Sequence, residues 1–141
     1  MVILKQLQPV TTTALKRIQH PKGDIYHALK NNEISYAGFG EAYFTTIITG
    51  EIKGWKKHKT MTMNVVVPLG MVRFHVHDER KSSTVSYDIG RDSYSRITIP
   101  PGYWVAFEGL DPGINLVLNI ASEEHNPNEA ENLPLETFML A

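Results

Sequence analysis

The chain has 141 residues, and its 14 lysine and arginine residues against 15 aspartate and glutamate residues give a formal net charge of -1. This length predicts a single domain, and the balanced charge argues against nucleic acid or an anionic membrane as a partner. The absence of cysteine excludes disulfides, zinc-thiolate sites and thiol nucleophiles. The first ten residues are too polar for a signal peptide, and no stretch reaches the roughly 20 apolar residues that cross a bilayer, so we expect a cytoplasmic protein.

The predicted elements begin with an N-terminal arm over about residues 1–22, in which residues 11–18 form a short helix or an extended segment. Short apolar and β-branched runs then alternate with turns rich in Gly and Pro, at 24–29, 42–48, 63–67, 72–76, 96–99, 104–107 and 115–120. Several short strands at this spacing are typical of an all-β sandwich or barrel. We predict one domain over 1–141, with the barrel over about 23–122 and a polar surface tail over about 123–141.

Two stretches, 54–70 and 99–105, have a spacing that resembles the two motifs of the metal cupins. Those motifs are His-x-His, four residues, Glu, six residues and Gly, followed later by Pro-x-Gly-x-x-His. The resemblance implies a cupin-type double-stranded β-helix, which is a jelly-roll barrel. Here the four ligand positions hold Lys56, His58, Met63 and Val105. Because a divalent ion ordinarily needs three or four N, O or S donors, we expect no metal at this site.

A second histidine pair, His75 and His77, lies just downstream. Alternation along a strand puts both imidazoles on one face, as in a metal-binding His-x-His. The next carboxylate follows too soon for the cupin spacing, however. We therefore interpret the pair as two partly exposed strand histidines.

A wider resemblance runs from about residue 20 to residue 130. Its motifs are Lys22-Gly23-Asp24-Ile25, Lys53-Gly54-Trp55, Asp78-Glu79-Arg80, Ile99-Pro100-Pro101-Gly102 and Glu124-His125-Asn126-Pro127. In this order and spacing they resemble the dTDP-4-dehydrorhamnose 3,5-epimerase family and its relatives, the small dTDP-hexose 3,4-ketoisomerases. The resemblance implies a jelly-roll homodimer that acts on a nucleotide-linked 4-keto sugar, with neither a metal nor an organic cofactor.

The sequence departs from that family at the residues that transfer protons. Lys56 stands where the epimerases have the histidine that removes a proton next to the ketone, and Asn119 stands where they have a tyrosine. The histidine that ends the second cupin motif is Val105. An unmodified epimerase mechanism therefore cannot be carried over. The ketoisomerase pattern of two histidines one residue apart fits better, because His58 is present.

Lys56 and His58 are the predicted catalytic residues. Strand alternation places Gly54, Lys56 and His58 on one face, and Lys53, Trp55, Lys57 and Lys59 on the other. Cationic neighbours and burial both favour the neutral, proton-accepting form of a lysine. We predict that Lys56, assisted by His58, is the base.

The same cluster has a binding interpretation, because a nucleotide diphosphate needs cations on its phosphate oxygens. Lys53 is the first candidate and Arg73 the second, although a lysine run can also be a charged strand edge that prevents pairing. Tyr43, Trp55 and Trp104 could stack on a base or sugar, yet aromatic residues on strands more often belong to the core. We assign Trp55 to the core, leave Trp104 open, and include Tyr43, Trp104 and Asn119 among the substrate-binding candidates.

The leading functional hypothesis is a metal-independent epimerase or isomerase of a dTDP-linked 4-keto sugar in cell-surface polysaccharide synthesis. The acidity of a C–H group beside a ketone allows proton transfer by side chains alone. The alternative is a barrel that binds nucleotide sugars without catalysis. A metal-dependent cupin oxygenase needs ligands that this sequence lacks.

Overall fold

The computed structural model describes residues 7–141. In chain order its strands are β1 (Thr11–Ala14), β2 (Arg17–Ile18), β3 (Ile25–Tyr26), β4 (Glu41–Thr46), β5 (Ile52–His58), β6 (Met63–Leu69), β7 (Met71–Asp78), β8 (Ser83–Gly90), β9 (Ser95–Ile99), β10 (Trp104–Gly109), β11 (Leu116–Ala121) and β12 (Ala130–Asn132). Two short 3-10 helices cover Pro127–Glu129 and Leu135–Thr137. Neither helix has the length and apolar character that a membrane crossing requires, and the described residues contain no other helix. The all-β prediction is confirmed.

Two antiparallel five-stranded sheets form the barrel. The first has the strand order β1-β9-β6-β11-β4 and the second β12-β5-β10-β7-β8, while β2 and β3 form a separate pair. Alternating apolar residues of both sheets point inward and pack into one core, which includes Val65, Val67, Phe74, Ile97, Ile99 and Val117. Period-two alternation of this kind is what buries one face of a strand.

Both ends of the described chain belong to the sheets. Strand β1 pairs with β9, so residues 11–14 are extended rather than helical. Strand β12 pairs with β5, and Leu135 and Phe138 pack against Trp55 and Trp104. Residues 123–141, predicted as a surface tail, are mostly exposed, while Leu135 and Phe138 cover the outer face of the second sheet.

A β-bulge in β5 changes which side chains share a face. Val105 and Phe107 of β10, with one residue between them, lie opposite Lys56 and Lys53 of β5, with two residues between them. An extra residue on one strand inverts the alternation beyond it. Lys53 therefore lies on the same inner face as Lys56, and the prediction that it lies on the opposite face is wrong.

His75 and His77 are buried, not partly exposed as predicted, because the C-terminal segment covers the outer face of β7. His77 stacks on Phe138 with 3.9 Å between ring centroids. His75 Nδ1 accepts a hydrogen bond from the Ala141 backbone N–H at 3.3 Å, and its Nε2 lies 2.8 Å from Glu108 Oε1. Both imidazoles thus have structural partners on the side of the sheet away from the barrel interior.

Candidate active site

A cavity of about 280 Å³ opens between the two sheets on the side of β4 and β5. Most of its wall is apolar, formed by Met63, Val65, Phe74, Ile99, Val105, Phe107 and Val117. Its polar wall is formed by Tyr43, Thr45, Lys53, Lys56, His58 and Asn119. A mostly apolar concave site with a few convergent polar groups is typical of a small-molecule binding site.

His58 and Glu129 form a buried pair at the end of β5. The distance from His58 Nδ1 to Glu129 Oε1 is 2.6 Å, and the two side chains are only 10% and 7% exposed. The other carboxylate oxygen, Oε2, accepts hydrogen bonds from the backbone N–H groups of Thr60 at 3.0 Å and Met61 at 2.9 Å. Glu129 is therefore held on both oxygens.

The local sequence explains how Glu129 reaches His58. Asn126 caps the 3-10 helix by accepting a hydrogen bond from the Asn128 N–H, and Pro127 occupies its first turn. The helix leads directly into β12, where Ala130 is paired with His58. The Asn-Pro start thus fixes where the helix begins, and the pairing of β12 with β5 brings Glu129 to His58. Sequence reasoning used Asn126 and Pro127 as a motif but missed Glu129.

The Glu129 carboxylate is ionised. Burial alone would raise the pKa of Glu129, but the hydrogen bonds from His58 and from the Thr60 and Met61 amides lower it to about 2. An ionised carboxylate can only accept a hydrogen bond, so Nδ1 of His58 carries a proton and donates it. In the neutral imidazole the lone pair is then on Nε2. His58 consequently has the tautomer of a general base.

Asn119 and Tyr43 form a polar pair on neighbouring strands of the first sheet. They are directly opposite each other in the β11–β4 register, and Asn119 Nδ2 donates to the Tyr43 hydroxyl at 3.0 Å. A phenol of β4 thus lies directly beside Asn119. Asn119 is buried at 4% exposure, whereas Tyr43 is 45% exposed.

The lysines of β5 differ in their surroundings. Lys53 Nζ donates to Thr45 Oγ1 at 3.2 Å and to the Thr46 carbonyl oxygen at 2.8 Å, at the β4 side of the cavity. Lys57 points outward, where its ammonium lies 3.2 Å from Glu79 and 3.3 Å from Glu131. Lys56 lines the cavity, and no residue within 7–141 forms an ion pair with it.

Five of the seven predicted site residues therefore meet in one cavity: Tyr43, Lys53, Lys56, His58 and Asn119. Trp104 lies on the outer face of β10, where its Nε1 donates to Glu79 Oε1 at 2.6 Å. Arg73 makes two hydrogen bonds to Asp88, at 2.7 and 3.0 Å, also on the outside. The structure does not bring Trp104 or Arg73 to the site, because strand alternation points both away from it. Trp55 is fully buried, as predicted for a core residue.

The four positions that correspond to cupin metal ligands, Lys56, His58, Met63 and Val105, all line this cavity. Their side chains provide one good ligand, the imidazole of His58, and this imidazole is already bound to Glu129. Within residues 7–141 no three or more His, Asp or Glu side chains are grouped so as to hold a metal ion. Metal independence stays a prediction.

Comparison with known families and structures gives consistent matches. The family model FdtA, described as WxcM-like, C-terminal, matches residues 8–132. No curated protein sequence matches the chain significantly. A dTDP sugar isomerase from Desulfovibrio desulfuricans G20 is 28% identical, with a TM-score of 0.87 over 96% of this chain and 90% of that one.

Two further crystal structures share the fold at lower identity. One is a histidine-to-asparagine variant of the 3,4-ketoisomerase QdtA from Thermoanaerobacterium thermosaccharolyticum with TDP-4-keto-6-deoxyglucose, at 16% identity, TM-score 0.75, and 89% and 88% coverage of this chain and of that one. The other is the 3'-monoepimerase ChmJ from Streptomyces bikiniensis with dTDP-quinovose, at 9% identity, TM-score 0.81, and 92% and 71% coverage. These likenesses confirm the predicted cupin-type jelly roll.

Proposed function

Because this chain belongs to the FdtA family, WxcM-like, C-terminal, we propose that it is an isomerase that moves a proton beside the ketone of a dTDP-linked 4-keto sugar. The names of its structural neighbours, a dTDP sugar isomerase, a 3,4-ketoisomerase and a 3'-monoepimerase, support this substrate class. The observation that carries the proposal is the pair of His58 and Glu129, which places a base at the wall of a mostly apolar cavity.

The reaction is a 3,4-ketone shift through an enediol. Nε2 of His58 accepts the proton on C3, the C–H electrons form the C3=C4 double bond, and the ketone oxygen on C4 becomes an enolate oxygen. The hydroxyl proton on O3 passes to O4. His58 then returns its proton to C4, and O3 becomes the ketone oxygen. One base on one face completes this exchange, which fits a site with a single imidazole.

Lys56 is proposed to assist this base. An ammonium group in an apolar cavity stabilises negative charge that develops on the enolate oxygen. The contact with Glu129 fixes the base tautomer of His58, whereas Lys56 has no carboxylate partner among the described residues. We therefore assign proton abstraction to His58 and charge stabilisation to Lys56, which reverses the roles predicted from the sequence.

A deuterium-exchange assay tests the proposed function. The protein is incubated with dTDP-4-keto-6-deoxyglucose in D₂O, and deuterium at C3, C4 and C5 is followed by NMR. The proton held on His58 Nε2 exchanges with solvent before it is returned, so we expect the 3-keto sugar with deuterium at C4 and, through the reverse reaction, deuterium at C3 of the 4-keto sugar. Binding of dTDP without exchange at any carbon would instead support the non-catalytic binding protein, and exchange at C5 would support an epimerase.

Lys53 is proposed to bind the diphosphate. The bulge turns it into the cavity wall, and its contacts with Thr45 and Thr46 hold the ammonium at the β4 side of the cavity. Lys53→Ala should weaken dTDP binding about tenfold, the loss expected for one charge-assisted hydrogen bond. Isothermal titration calorimetry with dTDP measures it, with UDP and GDP as tests of base preference.

Lys57→Ala is the matched control for Lys53→Ala, since Lys57 is a lysine of the same strand that points outward to Glu79 and Glu131. Its dTDP affinity should equal that of wild type. Equal affinities for wild type and Lys53→Ala would remove Lys53 from the binding site.

We also infer a homodimer, a cytoplasmic location and a role in cell-surface polysaccharide synthesis from the family resemblance. Phe44 and Ile48, at 64% and 74% exposure, are exposed apolar residues near the end of β4, and we infer that they contribute to an apolar interface of the dimer. Light scattering on a sizing column should give twice the chain mass of 15.9 kDa. A mass of one chain at micromolar concentration would contradict it.

A further inference from the structure

The amide of Asn119 has one end without a partner inside the barrel. Its Nδ2 donates to the Tyr43 hydroxyl at 3.0 Å, whereas its Oδ1 is buried and accepts no hydrogen bond from any residue of 7–141. It is the single buried side-chain polar atom in that part of the chain with this property. Buried polar groups nearly always have a partner, so each exception needs an explanation.

The nearest strand neighbours of Asn119 in the wall provide no partner for its free end. On the β6 side, Val65 lies opposite Asn119. Val117, two residues before Asn119 on β11, points to the same inner face and also lines the cavity. Neither side chain carries a donor. The free amide end is therefore available to a molecule in the cavity.

The chemistry of that molecule follows from the amide. If the two ends of the amide were exchanged, the Tyr43 hydroxyl would donate to Oδ1, and Nδ2 would be the free end. In either orientation one end is bound to Tyr43 and the other is free. A hydroxyl group pairs with both kinds of free end, since it donates and accepts. A neutral amide also matches a neutral hydroxyl better than it matches a phosphate, which favours cations.

The strand register places Asn119 between the two ends of the cavity wall. Lys53 is held by Thr45 and Thr46, which lie opposite Val117 and Leu116 of β11. Asn119 lies further along β11 toward Ala121, whose partner on β6 is Met63. The Met61 N–H that binds Glu129 precedes that strand. Asn119 is thus between the proposed diphosphate contact and the His58–Glu129 pair, where the hexose of a nucleotide sugar would lie.

We propose that Asn119 is a specificity-determining residue that hydrogen bonds a ring hydroxyl of the hexose. This assignment rests on the proposed function, because it requires a nucleotide sugar in this cavity. A ligand without that hydroxyl leaves a buried amide end unpaired, which should weaken its binding about 10- to 100-fold.

Calorimetry with a ligand series tests the assignment. The ligands are dTDP, dTDP-quinovose, and three analogues of dTDP-quinovose in which the hydroxyl at C2, C3 or C4 is replaced by hydrogen. Wild type should bind one analogue about 10- to 100-fold more weakly than dTDP-quinovose. The affinity of Asn119→Leu for dTDP should lie within about twofold of the wild-type affinity. The variant should bind the penalised analogue and dTDP-quinovose with equal affinity. If Asn119→Leu does not fold, Asn119→Ala carries the same comparison.

Three results would overturn the role of Asn119 while leaving the proposed function in place: a penalty of equal size in wild type and variant, no penalised analogue, or a loss of dTDP affinity as large as the loss for dTDP-quinovose. The last result would place Asn119 at the nucleotide. A wild-type protein that binds neither dTDP nor dTDP-quinovose would overturn both the role of Asn119 and the proposed function.

Discussion

Replacing His58 with asparagine is expected to slow deuterium exchange beside the sugar ketone by about 10²- to 10⁴-fold, the usual contribution of a positioned base. Asparagine is smaller than histidine but keeps an N–H donor near the position of Nδ1, and it cannot take up a proton from carbon at neutral pH. The affinity for dTDP should stay within about threefold of wild type, because the proposed diphosphate contact is Lys53 at the other end of β5. The measurement is the rate of deuterium incorporation by NMR.

His125→Asn is the matched control, because His125 is exposed and does not line the cavity. Lys56→Met separates the two candidate bases. If Lys56→Met abolishes exchange while His58→Asn slows it only a few-fold, Lys56 is the base, as the sequence alone predicted. If His58→Asn has the larger effect, the base is His58 and Lys56 stabilises charge.

Glu129→Gln is expected to reduce the exchange rate by up to about 10⁴-fold, as when an amide replaces the carboxylate of a catalytic triad. The Thr60 and Met61 amides need an acceptor and will bind the oxygen of the glutamine amide. The glutamine NH₂ group is then left facing His58 Nδ1. Because an NH₂ group only donates, Nδ1 must accept, and the imidazole proton moves to Nε2. The lone pair that removes the sugar proton is lost.

Glu131→Gln controls for this change, since Glu131 lies two residues further along and its carboxylate contacts Lys57 on the outer face. That variant should exchange deuterium at the wild-type rate. The fold of Glu129→Gln is checked by thermal melting. A folded Glu129→Gln protein with unchanged exchange would show that Glu129 only packs against His58 and does not set its tautomer.

Local sequence patterns predicted most of the barrel. The apolar and β-branched runs at 63–67 and 115–120 correspond to β6 and β11, and the Gly- and Pro-rich turns between the runs mark where strands end. The motif spacing around Lys56 and His58 identified the part of β5 that lines the cavity. These features depend on neighbours in the chain, which a sequence displays directly.

The remaining errors concern contacts between distant segments. Glu129 is 71 residues from His58 in the chain, so no local pattern links them. The cover over His77 is provided by Phe138, from a segment whose polar residues suggested a surface tail. Trp104 and Arg73 were selected for their chemistry, without knowledge of the face on which their strands would place them. Such pairings are fixed by tertiary packing.

Because of the bulge in β5, the number of residues between Lys53 and Lys56 determines whether both ammonium groups face the cavity. Gly54 and Trp55 together occupy the length of strand that Ala106 alone occupies on β10, and Trp55 anchors to the opposite side through its hydrogen bond to the Leu135 carbonyl at 2.9 Å. Removing one of these two residues would restore regular pleating and rotate Lys53 outward while Lys56 and His58 kept their places. The number of residues between Lys53 and Lys56 therefore decides whether one or two ammonium groups face the cavity.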